Sequence, residues 1–169
     1  STSTNNKDKV LDAIENEIKQ KGQATHEAIS TIYVGGGTPS ILDVNEINSI
    51  IKKIQKEFNV ESEAEITIEA NPDDLNKEKI INLSHTEINR LSIGVQSFID
   101  KELKIMNRAH DSKKALNSIE ISKKYFDNIS IDLIYGVPDS TIGSWAYNLD
   151  IVSQYDIKHI SSYALTLEP

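Results

Sequence analysis

The chain of 169 residues contains no cysteine. It therefore forms no disulfide bond and offers no thiolate to a metal, and a cytoplasmic location is the default expectation. No apolar run approaches the roughly 18 to 20 residues that a membrane span needs, and no secretory signal peptide is recognisable. The chain also lacks a cluster of lysine or arginine, and its net charge is −8, so we expect no nucleic-acid partner.

The composition that remains is that of an ordinary globular domain. Hydrophobic residues make up 38% of the chain and charged residues 26%. A chain of this length is expected to fold as one domain, which we place over residues 1–169. The chain begins at Ser1 without a methionine and ends soon after a strand-like run. We therefore expect it to be a segment of a longer protein.

Short strand-like runs alternate with helical patterns along the whole length. The runs are ISTIYV, EITIEA, RLSIGV, ISIDLIYG and HISSYALTL. The segments between them repeat apolar residues at helical spacing, and an N-terminal helix precedes them all. The predicted helical face before ISIDLIYG carries Leu116, Ile119 and Phe126, and the one after it carries Ile142, Trp145, Leu149 and Val152. Asp43 and Glu46 form a candidate capping box for the first helix after ISTIYV. Such alternation indicates a parallel sheet with crossover helices, which fits both an open doubly wound sheet and a barrel.

The two faces of the predicted strands differ in polarity. In EITIE, Ile66 and Ile68 share one face, and the opposite face carries Glu65, Thr67 and Glu69. The runs RLSIGVQ, SIDL and HISSY alternate in the same way. Strands covered by helices on both faces are usually apolar throughout. We therefore predict a partial (β/α) barrel of about five parallel strands, with outer helices on the apolar face and a polar cavity on the other.

The residues with the most chemical character lie where the predicted strands end. In parallel α/β folds these carboxyl ends form the ligand-binding rim. The candidates are Gly36, Gly37, Thr38, Glu69, Gln96, Arg108 and Asp132. Carboxylates suit an ammonium group and ribose hydroxyls and would repel phosphate, whereas an arginine suits a carboxylate. An amino acid joined to a nucleoside would satisfy both kinds of group.

Other chemistries are less well supported by the sequence. GGGTPS is followed by no lysine and is therefore not a Walker loop, and the chain has no G-x-S-x-G nucleophile elbow. The four histidines, one of which is His26, show no metal-ligand spacing. His110 lies two residues after Arg108 and is a weaker candidate for the rim, while His159 is expected to be structural.

Six segments together resemble one protein family. They are YVGGGTPS, AEITIEANP, RLSIGVQSF, MNRAH, IDLIYGVP and YALTLEP. In order and spacing they resemble the radical S-adenosylmethionine family of oxygen-independent coproporphyrinogen III oxidases and its heme-chaperone branch. EANP, GVQSF and NRAH are more similar to the heme-chaperone branch. The oxidases tend to have an aspartate in the first motif, an aspartate after the glutamine of the second, and no histidine in the third.

The resemblance implies a partial (β/α)6 barrel that binds S-adenosylmethionine across its carboxyl rim. Gly36, Gly37 and Thr38 match the family's glycine turn, whose backbone meets the methionine amino group where a Cβ would clash.

The polar site residues carry over one at a time in the same way. Glu69 matches an acid at the methionine or ribose end of the ligand. Gln96 and Asp132 match polar partners of the ribose region, and Arg108 matches the partner of the ligand carboxylate. These roles agree with the charge argument made from the residues alone.

The chain departs from the family at its metal site. The family holds a [4Fe-4S] cluster on a CxxxCxxC loop after its first strand, and such clusters need cysteine thiolates. The first residues, STSTNNKDKV, are similar to the segment that follows that loop. We therefore expect the first strand, the cluster loop and everything beyond the sixth strand to lie outside this chain.

The functional expectation concerns the intact parent protein. It would bind S-adenosylmethionine and the [4Fe-4S] cluster, and heme or porphyrin as well, whereas this cysteine-free chain is expected to be inactive by itself. Heme trafficking is the first expectation and oxygen-independent coproporphyrinogen III oxidation the second. A cluster-free α/β domain that binds a nucleoside is the third.

Overall fold

A computed structural model describes residues 7–25 and 27–166 of the chain. The strands are β1 (Ala28–Val34), β2 (Asn59–Ala70), β3 (Arg90–Gln96), β4 (Asn128–Tyr135) and β5 (His159–Ala164). The helices are α1 (Lys7–Gly22), α2 (Val44–Glu57), α3 (Lys77–Ser84), α4 (Asp100–Ile105), α5 (Ser112–Ser122) and α6 (Ile142–Gln154), and a 3-10 turn covers Pro39–Ile41. The first six residues, His26 and the terminal Leu-Glu-Pro of YALTLEP lie outside the described residues. No helix in the described ranges is long and apolar enough to cross a membrane.

The five strands form one parallel sheet in the order β1-β2-β3-β4-β5. Consecutive order is that of a barrel wall, whereas a doubly wound sheet reverses its order at a switch point. The prediction of a partial barrel with about five parallel strands and outer helices is therefore confirmed. All carboxyl ends lie at one edge of this sheet, so the loops that follow the strands can share a site.

The apolar face of the sheet packs on the helices and forms the core. Its central residues are at most 3% exposed, namely Ile66, Ile68, Leu91, Ile93, Ile129, Ile131 and Leu133. From α2, Ile47 and Ile51 join them without exposed surface. Each such side chain contributes about 1.5–3 kcal/mol through burial. On the opposite face, Ser130 donates a hydrogen bond of 3.0 Å to Ser92, as the predicted polar alternation requires.

The helix boundaries partly match the sequence pattern. The capping box of α2 is present, since Asp43 accepts from the Glu46 amide and Glu46 accepts from the Asp43 amide.

The predicted helical face that runs from Leu116 to Phe126 is too long, because α5 ends at Ser122 and Phe126 reaches the core from the following loop. Ile142 was expected on the packed face of α6 but is 91% exposed. It is the first residue of the helix, directly after the Thr141 cap.

Candidate functional site

The glycine turn after β1 has a left-handed backbone. Gly36 has φ of +84° and Gly37 has φ of +62°, a region that favours glycine. A Cβ added at either position would meet no protein atom within 4 Å. Gly35 differs, because its Cβ would lie 2.6 Å from the Tyr33 ring. Glycine is therefore favoured at Gly36 and Gly37 by the positive φ angle, and at Gly35 by the lack of space for a side chain. Close approach of a ligand to this turn stays a prediction.

Glu69, near the end of β2, is bound to the glycine turn. Its carboxylate accepts hydrogen bonds from the Gly36 amide at 3.0 Å and from the Tyr33 hydroxyl at 2.9 Å. Burial, with a contribution from Glu69, raises the pKa of Tyr33, so the phenol stays protonated and donates. An ionised carboxylate offers about four lone-pair sites, so Glu69 retains capacity for a ligand donor.

A second set of contacts joins the loops after β1 and β2. The Ser40 hydroxyl donates to Asp74 at 2.7 Å and accepts from the Asn71 amide at 3.1 Å. Lys79 on α3 donates to the carbonyls of Ser40 and Leu42, the latter at 2.8 Å. Burial lowers the pKa of Lys79. Because both loops share these bonds, the glycine turn and Glu69 keep a common position.

Gln96 ends β3 with an unusual backbone. Its φ is +69°, although it is not a glycine. A Cβ added at Gly94 would lie 3.0 Å from Gln96 Nε2, so the amide group lies over the Gly94 backbone. The absence of a side chain at Gly94 thus makes room for the Gln96 amide.

Arg108 reaches the same region from beyond α4. Its Nη2 donates to Asn71 Oδ1 at 2.7 Å and lies 3.4 Å from the Gly94 carbonyl. Its backbone amide donates to the Leu103 carbonyl at 2.9 Å, which closes the end of α4. The guanidinium therefore lies between the ends of β2 and β3.

Asp132 lies half-buried on the polar face of β4. Burial raises the pKa of its carboxyl, and the charge of Glu69 acts in the same direction. The hydroxyls of Ser161 and Ser92 and the charge of Arg90 oppose this rise. The carboxyl groups of Glu69 and Asp132 thus face one region of the sheet.

These groups surround one cavity of about 190 Å³. Six of the seven predicted site residues line it, namely Gly37, Thr38, Glu69, Gln96, Arg108 and Asp132. Gly36 lines a neighbouring apolar cavity beside α1 and contacts the site through its bond to Glu69. The ligand roles of all seven residues stay predictions.

Sequence reasoning missed several residues of this cavity, among them Asn71, Ser92 and Gly94. Signals for them were present, since Asn71 follows Glu69 closely in EANP and Ser92 shares the polar strand face with Gln96. His110 does not line the cavity. It is 3% exposed, and its Nε2 lies 2.9 Å from the Val95 carbonyl.

Metal ligands are not assembled in the part of the chain that the structure describes. No group of three or more histidine, aspartate or glutamate side chains there is placed to hold a metal ion. Iron–sulfur clusters are held by cysteine thiolates, and the whole sequence has none. The residues present therefore do not fit a [4Fe-4S] cluster, although they include donors and acceptors for a polar organic ligand.

The sequence model of the radical SAM superfamily matches residues 2–149. The chain belongs to this superfamily. Radical SAM proteins as a family bind S-adenosylmethionine and a [4Fe-4S] cluster. The strand order and the cavity at the carboxyl ends described above are consistent with that membership.

Among individual radical SAM proteins, the chain is similar to two bacterial heme chaperones. It is 43% identical over 141 residues to the heme chaperone HemW of Buchnera aphidicola subsp. Acyrthosiphon pisum, a match that covers 83% of this chain and 38% of the relative. It is 35% identical over 165 residues to HemW of Bacillus subtilis, covering 96% of this chain and 44% of the relative. The chain thus spans about 40% of the length of these curated relatives.

Among solved structures, the chain is similar to coproporphyrinogen III oxidase (HemN) of Escherichia coli, described as a radical SAM enzyme. The TM-score is 0.90 at 29% identity, and the match covers 100% of this chain and 39% of that chain. The chain therefore shares the radical SAM half-barrel fold with that enzyme.

Proposed function

We propose that this chain is the S-adenosylmethionine-binding part of a radical SAM core and that the cavity at the carboxyl ends of its strands is the binding site. One observation carries the proposal: two carboxylates, a guanidinium and a carboxamide converge on a single cavity, from Glu69, Asp132, Arg108 and Gln96. This set has the charges that an amino acid joined to a nucleoside requires.

The ligand's amino-acid end would lie between the glycine turn and Arg108. Glu69 accepts from the ligand ammonium while it still holds the Gly36 amide. Only Nη2 of Arg108 has protein acceptors among the described residues, and a guanidinium has five donors, so others can pair with the ligand carboxylate. Main-chain groups of Gly37 and Thr38 border the same end of the cavity.

The ribose end would lie toward β3 and β4. The Gln96 amide and the Asp132 carboxylate offer a donor and an acceptor to vicinal hydroxyls, and the Ser92 hydroxyl lies beside them. A phosphate in this position would face Glu69 and Asp132, and like charges at close range are unfavourable. The site therefore favours a nucleoside without phosphates.

The intact parent would supply the cluster from outside this chain, because no residue here can ligate it. The metal chemistry of the family is accordingly no property of this segment. For residues 1–169 we propose only that they bind and orient the organic cofactor.

The test is a nuclear magnetic resonance titration of the ¹⁵N-labelled chain with S-adenosylmethionine to several millimolar. We expect the amide signals of Gly36, Gly37 and Gln96 to shift, and the shifts to be lost in Glu69→Gln. Asp150→Asn, which removes an exposed carboxylate on α6, is the matched control and should leave them unchanged. Shifts that lie elsewhere, or that persist in Glu69→Gln, would contradict this assignment.

Fragments of the ligand separate this proposal from general nucleoside binding. Adenosine alone and methionine alone should each shift only part of the set of signals seen with S-adenosylmethionine. If adenosine reproduced the full response, the chain would be a cluster-free nucleoside-binding domain instead.

For the intact parent we propose heme binding and delivery. Support comes from the heme chaperones that the chain resembles at 43% and 35% identity. The rival function is oxygen-independent coproporphyrinogen III oxidation, which the likeness to the oxidase structure favours. Incubating the reconstituted parent with heme and, separately, with coproporphyrinogen III distinguishes them. Stable heme binding without turnover supports the chaperone, whereas turnover of coproporphyrinogen III supports the oxidase.

A further inference from the structure

The left-handed residue at Gln96 is a strained element of the proposed site. Its φ is +69°, a conformation that costs a non-glycine residue of order 1 kcal/mol or more unless its surroundings hold it. The strand β3 ends at this left-handed residue, and the Gln96 side chain lies over Gly94.

On its carboxyl side the turn is held by Asn148 of α6, which is 1% exposed. Asn148 Oδ1 accepts from the Phe98 amide at 2.7 Å. Asn148 Nδ2 donates to Ser97 Oγ at 3.2 Å and lies 3.4 Å from Glu102 Oε2. One side chain, 51 residues from Ser97 in sequence, thus binds both residues that follow Gln96.

Glu102 of α4 completes this group. It is 5% exposed, and Ser97 Oγ donates to its Oε2 at 2.5 Å. Among the described residues it has no ion-pair partner within 4.0 Å. A buried carboxylate held only by neutral groups is expensive, and apolar side chains would fill the space at lower cost. Such a violation of ordinary core composition is typical of functional sites.

On its amino side the turn is held by His110. Its Nε2 lies 2.9 Å from the Val95 carbonyl, which also accepts from the Ser97 amide at 2.9 Å. A carbonyl only accepts, so Nε2 carries a proton, and in the neutral imidazole Nδ1 is the unprotonated nitrogen. Nδ1 has no hydrogen-bond partner among the described residues and lies 3.7 Å from Asp73 Oδ2.

We propose that Asn148 and His110 are positioning residues that hold the Gln96 turn from its two sides and so fix the Gln96 amide in the cavity. The proposal rests on the proposed function, since the amide must then meet S-adenosylmethionine. Neither residue lines the cavity itself. We expect the effect of Asn148 on the ligand to depend on Gln96, and this dependence separates a positioning role from a merely structural one.

The first measurement needs no ligand. In the ¹⁵N-labelled chain the side-chain NH₂ of Gln96, assigned by its loss in Gln96→Ala, should give one well-dispersed pair of signals. In Asn148→Leu and in His110→Ala this pair should collapse toward random-coil positions or multiply. Asn89→Leu is the matched control, because Asn89 binds the Ile66 amide and the Ala64 carbonyl in the same bidentate manner at the opposite end of β3. The control should lose stability and leave the Gln96 pair unchanged.

Exchanging the carboxamide of Asn148 and the carboxylate of Glu102 tests the Asn148 contacts without leaving a cavity in the core. Asn148→Asp retains the acceptor for Phe98 but places a second carboxylate beside Glu102, so the Gln96 pair should be disturbed. The double variant Asn148→Asp/Glu102→Gln restores one carboxylate and one carboxamide at these two positions. We expect it to recover the native Gln96 signals.

The ligand measurement is a double-mutant cycle with S-adenosylmethionine. The initial slope of the shift at Gly36 and Gly37 should fall about fivefold in Asn148→Leu, the effect of losing one net hydrogen bond. The same substitution in a Gln96→Ala background should cause no further loss, because the pathway through Gln96 is already removed.

The outcomes separate this inference from the proposed function. Equal losses from Asn148→Leu in the native and the Gln96→Ala backgrounds, or undisturbed Gln96 signals in both Asn148→Leu and His110→Ala, overturn the positioning role. If the native chain shows no response to S-adenosylmethionine, the proposed function fails and the ligand part of this inference fails with it. The ligand-free signals still decide whether Asn148 and His110 hold the turn.

Discussion

At the scale of single residues, the candidate site is assembled from groups that do not favour the folded state. Glu69 and Asp132 face one cavity, and Gln96 has a left-handed backbone. Natural proteins accept such costs where a ligand uses the groups. Removing the least favourable of them should therefore stabilise the chain and weaken ligand binding together.

Asp132 provides the clearest case. Burial raises the pKa of its carboxyl in the folded chain, so the folded state binds more protons than the unfolded state in the range above the ordinary aspartate pKa of about 3.9. The free energy of unfolding therefore falls as pH rises through that range. Asp132→Asn should be more stable than the native chain at pH 7 in urea unfolding, and the gain should vanish near pH 3.

The control for this prediction is Asp150→Asn, which changes an exposed carboxylate on α6. Its stability should match that of the native chain at both pH values. An Asp132→Asn chain that is less stable than the native one at pH 7 would show that the carboxylate is well satisfied in the fold.

His110 should produce a pH dependence of the opposite sign. Burial lowers the pKa of its imidazole, and Arg108 acts in the same direction, while the Val95 carbonyl and Asp73 oppose the change. Asp73 is itself paired with Lys114 at 2.8 Å. The unfolded chain binds the proton first as pH falls below about 6.5, so the free energy of unfolding decreases from there down through the lowered pKa.

We expect His110→Gln to flatten the stability profile between pH 7 and pH 5, measured by urea unfolding in steps of half a pH unit. His85→Gln, at an exposed position, serves as the control and should retain the native slope. An unchanged slope in His110→Gln would assign the pH dependence to other groups.

At the scale of elements, the helix caps determine where the loops of the site begin. The capping box of Asp43 and Glu46 starts α2 directly after the 3-10 turn, and Glu46 is also bound to Lys7 of α1 at 2.5 Å. The segment between Gly37 and Asp43 is thus held at one end by the glycine turn and at the other by the capped start of α2.

Asp43→Ala should lower the free energy of unfolding by about 1 kcal/mol, the usual cost of losing an N-cap side chain. Asn45→Ala, an exposed substitution in the first turn of the same helix, should change it by less than about 0.5 kcal/mol. Equal effects of the two substitutions in urea unfolding would mean that the box contributes nothing beyond helix propensity.

At the scale of the whole molecule, the radical SAM half-barrel is present without a ligand set for a cluster. We expect the purified chain to stay colourless after anaerobic incubation with iron and sulfide, because no cysteine thiolate is available. The intact parent protein treated in parallel is the positive control, and we expect it to gain visible absorption through thiolate-bound iron. A stable chromophore on the cysteine-free chain would show that other residues ligate iron.

Affinity for S-adenosylmethionine should be weak in this chain. A pair between Arg108 and the ligand carboxylate is worth about 1.5–3 kcal/mol, and each further hydrogen bond about 1 kcal/mol. Immobilising the ligand costs at least about 4 kcal/mol, which leaves a dissociation constant on the order of 1 mM or weaker. Isothermal calorimetry should show little heat, and Arg108→Ala should change it little. A micromolar affinity that Arg108→Ala abolishes would show that the half-barrel is a self-sufficient site.

The sequence by itself determined the strands, the helices and the polarity of the strand faces, because these follow from local periodicity. Alternation along Glu65 to Glu69 distinguishes the two faces of a strand, and a period of 3.6 distinguishes the helices, so the half-barrel was predictable. Because the carboxyl ends of parallel strands meet at one edge, Glu69, Gln96 and Asp132 were predictable as neighbours without knowledge of any contact.

The tertiary structure decided the contacts between residues that are distant in sequence. Arg108 meets Asn71 across 37 positions, and Asn148 meets Ser97 across 51. No periodic pattern contains such pairs, because they depend on how helices pack on the sheet and not on the chain near either residue. The left-handed backbone of Gln96 was unpredictable for the same reason, since the groups that hold it come from three separate elements of the fold.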